Sequence, residues 1–456
     1  MAQNLAKLFG SSGVRGLVNV DLTPALACKV GLAVASHSKA RKALVARDTR
    51  VSGAMLEDAV VSGLLASGVD VALIGVVPTP VLAYLTKALQ ADVGFMLTAS
   101  HNPPMYNGIK IFNGDSLSYA DESQNAVEKI VDEAHFAVAD WRGIGEAAIA
   151  DVSHLYVEMV TKAVTLRRQW RVVVDPGCGA TFNIAPAVLK AMGCKVTALN
   201  AQPDGFFPAR SSEPTAESLR DLAQVVRALG AEVGVAFDGD GDRVAFIDEQ
   251  GGFVDFDRAL AAFSAYAVKK NGGGTVVTNV EASMCVEKMV EAEGGTVVRT
   301  RVGDVYISEA MKRVGAVFGG EPCGAWIHPR FHYCPDGPLS AVLFLKALEE
   351  EEKAACEFVA EVPEYVTLRE NIACKNDLKQ QAVANIEKTI KSAFPAFTDF
   401  STVDGVRLAL ENGWFLIRAS GTEPLIRVTV EGESLKVARD IMAQGKTLVK
   451  KHVEVG

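Results

Sequence analysis

The chain has 456 residues, of which 49% are apolar, and it carries a formal net charge of −9 with a pI of about 5.5. This length predicts roughly three domains, and the acidic balance without long basic runs argues against a nucleic-acid-binding protein. No apolar stretch is long enough to span a membrane, and the N-terminus lacks the layout of a signal peptide. The eight cysteines include no Cys-x-x-Cys pair, so we expect reduced thiols in a cytoplasmic protein.

The chain opens with a glycine-rich segment, FGSSGVRG (9–16), in which Arg15 is the cation. It lacks the Gly-Lys-Ser/Thr ending of a nucleotide P-loop, and no strong strand precedes it. We predict that this segment closes over a phosphate. The alternative is a flexible entry into the fold.

Three segments of the chain share one pattern of strands and helices. Each opens with an apolar strand, near residues 43, 171 and 275, and each closes with another strand, at 91–98, 231–238 and 314–319. Helical stretches and a short middle strand lie between them, which predicts crossover connections and largely parallel sheets. The predicted fold class is α/β: three related α/β domains at 1–150, 151–250 and 251–365, then a smaller C-terminal α+β domain at 366–456.

The closing strand of the first segment runs into the sequence TASHNP (98–103), whose Asn-Pro-Pro ending breaks the strand. Ser100 is thereby presented at the carboxyl end of a strand, where open α/β sheets bind ligands. His101 and Lys110 are candidates to assist its hydroxyl as base or charge stabiliser. Most loop serines are turn or capping residues, which is the alternative. The absence of a Gly-x-Ser-x-Gly motif disfavours an acyl-transfer hydrolase.

The closing strand of the second segment runs into DGDGDR (238–243). Glycine permits a sharp path that brings Asp238, Asp240 and Asp242 to one point, where they repel unless a cation neutralises them. Ligation by oxygen atoms alone favours Mg²⁺, or Mn²⁺, over softer metals. A calcium EF-hand is disfavoured because Arg243 stands where that loop requires glycine and the flanking residues are strand-like. A solvated acidic turn without metal is the second alternative.

The third segment ends in GEPCG (320–324). The carboxylate of Glu321 is suited to accept two adjacent sugar hydroxyls. Cys323 has no neighbouring base that would lower its pKa, so we interpret it as a small lining residue.

A further loop, RASGTEP (418–424), lies in the C-terminal domain. A guanidinium, two hydroxyls and exposed backbone N–H groups suit a tightly held phosphate, whereas an ordinary hairpin turn is the alternative. The candidate phosphate-binding residues are Arg418, Ser420, Gly421, Thr422 and Arg427.

Taken in this order, the motifs resemble those of the α-D-phosphohexomutase superfamily over essentially the whole chain, including NGIK at 107–110. The resemblance implies four domains around a central cleft, which bear the phosphoserine, the metal, the sugar and the substrate phosphate in turn. It implies that phosphorylated Ser100, bound to one Mg²⁺ together with Asp238, Asp240 and Asp242, gives its phosphoryl group to a hexose monophosphate. The hexose bisphosphate so formed turns over and returns its other phosphoryl group to the serine.

Charge on the transferring group is expected to be offset by Arg15, Lys110 and Arg243. The segment RVGD (301–304) resembles the Val-Gly-Asp of phosphoglucosamine mutases, so Asp304 is expected to favour a 2-amino sugar. Ala325 stands where many members have a histidine proposed as acid or base, which leaves the proton-transfer residue open.

The leading expectation is interconversion of glucosamine 6-phosphate and glucosamine 1-phosphate. The alternatives are a phosphomannomutase/phosphoglucomutase, a metal-dependent phosphohydrolase, and a sugar-phosphate-binding module without catalysis. Small-molecule sugar phosphates are thus the expected partners, and the oligomeric state stays open.

Overall fold

The computed structural model describes residues 8–10, 13–420 and 423–453. The chain divides into two compact units. The first comprises Met1–Phe256 with Gly303–Ala360, and the second comprises Asp257–Val302 with Glu361–Gly456. Among the described residues, no helix has both the length and the apolar character needed to cross a membrane.

The first 150 residues form a mixed sheet with helices. The strands are β1 (Phe9–Gly10), β2 (Gly13–Leu17), β3 (Lys42–Arg47), β4 (Asp70–Val76), β5 (Val93–Leu97), β6 (Tyr106–Asn113) and β7 (Ala147–Ile149), and the helices are α1 (Pro24–Ser38), α2 (Gly53–Ala66), α3 (Thr79–Ala88) and α4 (Asp121–Glu133). The strand order is β1-β2-β6-β5-β3-β4-β7. β3 pairs in parallel with β4 and β5, whereas β6 pairs antiparallel with β5 and β2.

Local sequence explains how this layer delivers the serine loop. α1 begins after Thr23, whose Oγ1 accepts a hydrogen bond from the Leu26 N–H at 3.2 Å, and Pro24 occupies its first turn. β5 is buried at all of its positions, as in a strand whose two faces are both covered. Because β5 ends at Leu97, residues 98–103 leave the sheet at the carboxyl end of this strand.

The next stretch of the first unit forms a smaller sheet. Its elements are α5 (His154–Ala163), β8 (Arg171–Asp175), α6 (Ile184–Ala191), β9 (Lys195–Ala198), α7 (Arg220–Leu229), β10 (Val233–Phe237) and β11 (Val244–Ile247). The order is β11-β10-β8-β9, with β8 parallel to β9 and β10. β10 and β11 form an antiparallel hairpin whose turn is the DGDGDR loop.

The stretch that follows contributes to both units. α8 (Phe256–Asn271), β12 (Gly274–Asn279), α9 (Cys285–Ala292) and β13 (Gly295–Thr300) belong to the second unit from Asp257 onward, and β12 is parallel to β13. The chain then returns to the first unit with α10 (Asp304–Val314), β14 (Phe318–Gly320), β15 (Trp326–Ile327), α11 (Gly337–Glu350) and α12 (Ala355–Ala360).

The remainder of the second unit is an α+β layer. It contains β16 (Val366–Ala373), α13 (Lys379–Ala393), β17 (Phe397–Ser401), β18 (Val406–Leu410), β19 (Gly413–Ala419), β20 (Leu425–Gly432) and α14 (Leu435–Val453). The strands are antiparallel in the order β16-β20-β19-β18-β17. Its core includes Ile386, Phe415 and Val428, all fully buried.

These elements confirm the predicted fold class, in which α/β segments with mixed sheets precede a smaller α+β region. The boundaries at residues 150, 250 and 365 stay predictions.

Candidate active site

The serine loop holds Ser100 in an unusual backbone conformation. Its φ is 51°, in the left-handed region that few residues with side chains adopt, and it is only 1% exposed. Its N–H donates to Thr98 Oγ1 at 2.9 Å, and its hydroxyl donates to Asp238 Oδ2 at 2.7 Å. Strained residues of this kind persist where the surroundings over-determine them, which is typical of functional sites.

The DGDGDR loop gathers three buried carboxylates. Asp238, Asp240 and Asp242 each place one oxygen within 4.8 Å of the others. Asp238 Oδ1 accepts hydrogen bonds from the backbone N–H groups of Gly241 at 3.0 Å and Arg243 at 3.1 Å. Gly241 has a φ of 74°, and a Cβ there would come within 2.3 Å of a methyl carbon of Thr181, so this turn requires glycine.

The carboxylate cluster fits a hard divalent cation. Asp240 Oδ1 and Asp242 Oδ1 are buried and have no hydrogen-bond partner among the described residues. Leaving such oxygens unsatisfied is costly, and oxygen ligands are those that Mg²⁺ prefers. Asp238, Asp240 and Asp242 would hold Mg²⁺, and the bound ion would supply positive charge opposite a transferring phosphoryl group.

Lys110, on β6, is the cation bonded to this cluster. Its Nζ donates to Asp240 Oδ2 at 2.7 Å and to Asp242 Oδ2 at 2.6 Å. Burial alone would lower the pKa of Lys110, but the two aspartates raise it above its usual value. Burial likewise would raise the pKa of Asp240, but Lys110 and the hydroxyl of Thr79, at 2.5 Å, bring it below its usual value. Lys110 is therefore a fixed positive charge rather than a base.

His101 lies beside the serine hydroxyl, and two arginines act on its imidazole. The Nδ1 of His101 lies 3.3 Å from Ser100 Oγ. Burial, together with the positive charges of Arg243 and Arg15, lowers the pKa of His101 to about 3, so its imidazole is neutral at pH 7. Arg15 donates to Asn102 Oδ1 at 3.2 Å, which ties the glycine-rich entry to the serine loop.

The predicted sugar-binding residues meet beside this cluster, within the first unit. Glu321 Oε1 accepts the backbone N–H of Gly303 at 2.9 Å, and Asp304 follows as the first residue of α10. Burial raises the pKa of Asp304 to about 6, and the negative charges of Glu321 and Asp242 act in the same direction. Burial also raises the pKa of Cys323 to about 12, so its thiol stays protonated and is no nucleophile.

The predicted phosphate loop lies in the second unit. Arg418 forms ion pairs with Glu281 and, at 2.8 Å, with Asp404. Ser420 Oγ accepts the Glu423 N–H at 3.1 Å, and Arg427 pairs with Glu423 at 3.3 Å. Gly421 and Thr422 lie outside the described residues. The two carboxylates thus hold the Arg418 guanidinium in a defined orientation.

Comparison with known proteins identifies the family. The chain matches the phosphoglucomutase/phosphomannomutase alpha/beta/alpha domains I, II and III at residues 6–138, 154–252 and 255–365, and the C-terminal domain at 370–446. The chain belongs to the phosphoglucomutase/phosphomannomutase family. This confirms the resemblance to phosphohexomutases that the motifs indicated.

Relatives within this family match along the full chain. The chain is 43% identical over 452 residues to a probable phosphoglucosamine mutase of Methanopyrus kandleri, covering 99% of each. It is also 43% identical over 446 residues to a probable phosphoglucosamine mutase of Pyrococcus abyssi, covering 98% of each. Among solved structures, a phosphoglucomutase/phosphomannomutase family protein of Burkholderia thailandensis has a TM-score of 0.89 at 28% identity, covering 98% of both chains.

Sequence reasoning located the loops of this phosphohexomutase but missed side chains that support them. Thr79 bonds the metal loop, and Arg50 and Arg210 bind backbone carbonyls of the serine and metal loops. Lys379 donates to the carbonyls of Ser420 and, at 3.1 Å, Glu423, on either side of the undescribed pair at 421–422. A buried cation held by distant carbonyls leaves no local pattern, so a single sequence carried no signal for these roles.

Proposed function

We propose that this protein is a phosphohexomutase that moves a phosphoryl group between O6 and O1 of a hexose phosphate, through a phosphorylated Ser100 and a hexose bisphosphate. Its preferred pair is glucosamine 6-phosphate and glucosamine 1-phosphate. The observation that carries the proposal is the contact between the Ser100 hydroxyl and a buried three-carboxylate cluster that also binds Lys110. Relatives named probable phosphoglucosamine mutases support the choice of sugar.

The transfer exchanges one P–O bond for another. The bond between phosphorus and Ser100 Oγ breaks while a bond from phosphorus to the sugar hydroxyl oxygen forms, and in the net reaction the proton of that hydroxyl ends on Ser100 Oγ. His101 is neutral and its Nδ1 lies 3.3 Å from Ser100 Oγ, so it is our candidate to accept the Ser100 proton in the opposite direction, when Oγ attacks the phosphoryl group of the bisphosphate. The second half of the cycle is the reverse reaction on the other end of the sugar bisphosphate.

Fixed positive charges favour this transfer. Lys110, Arg15 and Arg243 interact electrostatically with the aspartates or with His101, which supports a role for them in offsetting the charge that builds up on the phosphoryl group. Because these cations are already oriented, they stabilise the transition state without reorganising when the reaction occurs.

The sugar preference follows from the pair of carboxylates at Glu321 and Asp304. With a pKa of about 6, Asp304 is largely ionised at pH 7. An anion here attracts the ammonium group of glucosamine, which glucose and mannose lack. Glu321 accepts the Gly303 N–H through Oε1. We propose that this carboxylate also accepts sugar hydroxyls.

Product analysis by ³¹P NMR tests the proposal. The purified protein is given Mg²⁺, a trace of hexose bisphosphate, and glucosamine, glucose or mannose phosphates in turn. We expect the isomeric sugar phosphate to accumulate fastest from glucosamine phosphate, without inorganic phosphate. Inorganic phosphate without an isomer would establish a phosphohydrolase instead, and no reaction with any sugar would overturn the proposal.

Two serine variants provide a matched comparison. Ser100→Ala removes the carrier and should abolish turnover. Ser116→Ala alters another buried serine of positive φ, outside the cluster, and should leave turnover near the native rate. Mass spectrometry should find the phosphoryl label at Ser100 in the native protein and in Ser116→Ala. Robust turnover by Ser100→Ala would exclude the phosphoserine route.

A further inference from the structure

A buried arginine organises the serine loop. Arg50 is 1% exposed, and its Nε donates to Asp48 Oδ2 at 3.0 Å. The remaining guanidinium nitrogens donate to the backbone carbonyl of Ser100 and to carbonyls that follow it in the chain, so the whole planar group is engaged. These carbonyls belong to Ser100 at 2.8 Å, Asn102 at 2.6 Å, Pro103 at 2.7 Å and Tyr106 at 2.9 Å.

The carboxylate of the same pair reaches the other side of Ser100. Asp48 Oδ2 accepts the hydroxyl of Thr98 at 2.6 Å, and Thr98 Oγ1 accepts the N–H of Ser100 at 2.9 Å. Both backbone polar groups of Ser100 are therefore tied to the Asp48–Arg50 pair. Because the left-handed conformation of Ser100 is disfavoured on its own, these bonds account for its persistence and for the direction of Oγ toward Asp238.

The second α/β segment contains a counterpart at the metal loop. Arg210 is buried, and its Nε donates to Asp175 Oδ2 at 3.1 Å. Its NH2 donates to the carbonyl of Phe237 at 2.7 Å, the residue immediately before Asp238. A Cβ at Gly177 would lie 2.5 Å from the guanidinium, so glycine leaves room for it.

The two pairs occupy corresponding places in the repeated segments. Asp48 directly follows β3 and Asp175 ends β8, the opening strands of their segments. Each arginine binds a carbonyl at or beside a residue of the reaction centre, Ser100 or Asp238.

We propose that Arg50 and Arg210 are positioning residues: Arg50 orients Ser100 for phosphoryl transfer, and Arg210 orients the metal loop. The proposal rests on the proposed mutase function and adds a separate role for each arginine.

Lysine is the informative substitution at both positions. It keeps the positive charge opposite Asp48 or Asp175, but its single ammonium cannot donate in the fixed, spread directions of a guanidinium. Arg50→Lys and Arg210→Lys therefore test orientation rather than charge. Arg407→Lys is the control, because Arg407 is another buried arginine, stacked over Trp414 in the second unit.

Two measurements distinguish the roles. The first is the rate at which Ser100 is phosphorylated by a hexose bisphosphate, followed by mass spectrometry. The second is Mg²⁺ affinity of the dephosphorylated protein, measured by calorimetry. We expect Arg50→Lys to slow phosphorylation by roughly 100-fold, as for a misplacement of about 1 Å, with Mg²⁺ affinity within about twofold of native. We expect Arg210→Lys to weaken Mg²⁺ binding by about 10- to 100-fold and to regain phosphorylation at saturating Mg²⁺.

Thr98→Val provides a second route if Arg50→Lys does not fold. It removes the link from Asp48 to the Ser100 N–H while leaving Arg50 in place. We expect it to slow phosphorylation of Ser100 by about 10-fold, less than Arg50→Lys, because it disrupts one contact whereas Arg50→Lys disrupts several. Thermal unfolding of every variant establishes that it is folded.

The results that would contradict the positioning role differ from the result that would contradict the proposed function. If folded Arg50→Lys, or Thr98→Val in its place, phosphorylates Ser100 at the native rate, the positioning role is wrong. The positioning role would also be wrong if the phosphorylation rate and the Mg²⁺ affinity changed equally in Arg50→Lys, Arg210→Lys and the Arg407→Lys control. Equal changes would indicate a general loss of packing. Failure of the native protein to accept a phosphoryl group would instead overturn the proposed function, and the Arg50 role with it.

Discussion

Replacing Lys110 with methionine tests how the aspartate cluster is neutralised. The substitution keeps most of the buried side-chain volume but removes an ammonium that bonds Asp240 and Asp242 at 2.7 and 2.6 Å. At an effective dielectric constant of 20, each contact corresponds to about 6 kcal/mol of Coulomb attraction, before the cost of burying the charges. Measured losses on breaking a buried pair are about 3–5 kcal/mol, because the partner charge is left uncompensated.

The expected consequence is a metal-dependent change in stability. In chelator, Lys110→Met should unfold at a temperature about 6–10 °C below native, at roughly 2 °C for each kcal/mol. Mg²⁺ should then raise the unfolding temperature of the variant more than that of the native protein, since the cation replaces the lost positive charge. Ligand at 100 times its Kd stabilises by about 2.7 kcal/mol, which sets the scale of the recovery.

Differential scanning calorimetry with and without Mg²⁺ measures this difference, and Lys87→Met, at an exposed lysine of α3, is the control. A variant that Mg²⁺ stabilises no more than the native protein would refute the reasoning. It would show that Lys110 and the cation do not neutralise the same carboxylates. Turnover by Lys110→Met should fall even at saturating Mg²⁺, because the fixed charge opposite the phosphoryl group is missing.

Three further outcomes are expected. Asp238→Asn removes one ligand charge, so turnover should collapse and require more Mg²⁺; full native activity after exhaustive chelation would contradict the metal assignment. Asp304→Asn should reduce the ratio of kcat/KM for glucosamine phosphate to kcat/KM for glucose phosphate by several-fold to several-hundred-fold. This range corresponds to about 1–4 kcal/mol for opposite charges at about 4 Å. An unchanged ratio would exclude Asp304 from sugar selection. Burial lowers the pKa of His328 to about 3, so the folded chain resists a proton that the unfolded chain accepts below about pH 6.5. The stability that depends on neutral His328 is therefore fully present above pH 6.5 and is lost at about 1.4 kcal/mol per pH unit as the pH falls toward 3. Urea unfolding at pH 7 and pH 5 measures this loss, which should be smaller for His328→Gln than for the native protein. An equal loss in both proteins would show that His328 is not the titrating group.

Much of the site could be predicted because its candidate residues occur in short sequence motifs. Three aspartates alternate with glycine directly after an apolar strand, and this spacing alone predicts converging carboxylates, as the structure confirms for Asp238, Asp240 and Asp242. The strand-breaking residues after Ser100 likewise predict its place on a loop. Alternating strands and helices predicted the α/β class, since hydrophobic periodicity and turn residues act over a few neighbours.

Which of these residues contact one another depends on the tertiary structure and cannot be read from the local motifs. Ser100 contacts Asp238 across 138 positions of sequence, and Lys110 contacts Asp240 across 130. Neither Arg50 nor Thr79 belongs to a pattern that predicts its role, because a buried donor chooses its acceptors from whatever carbonyls and carboxylates packing brings within about 3 Å. The left-handed backbone of Ser100 arises in the same way, since the bond that Arg50 donates to its carbonyl and the bond that its N–H donates to Thr98 outweigh its intrinsic preference. Local sequence therefore identifies the candidate site residues, and long-range packing determines how their side chains are oriented.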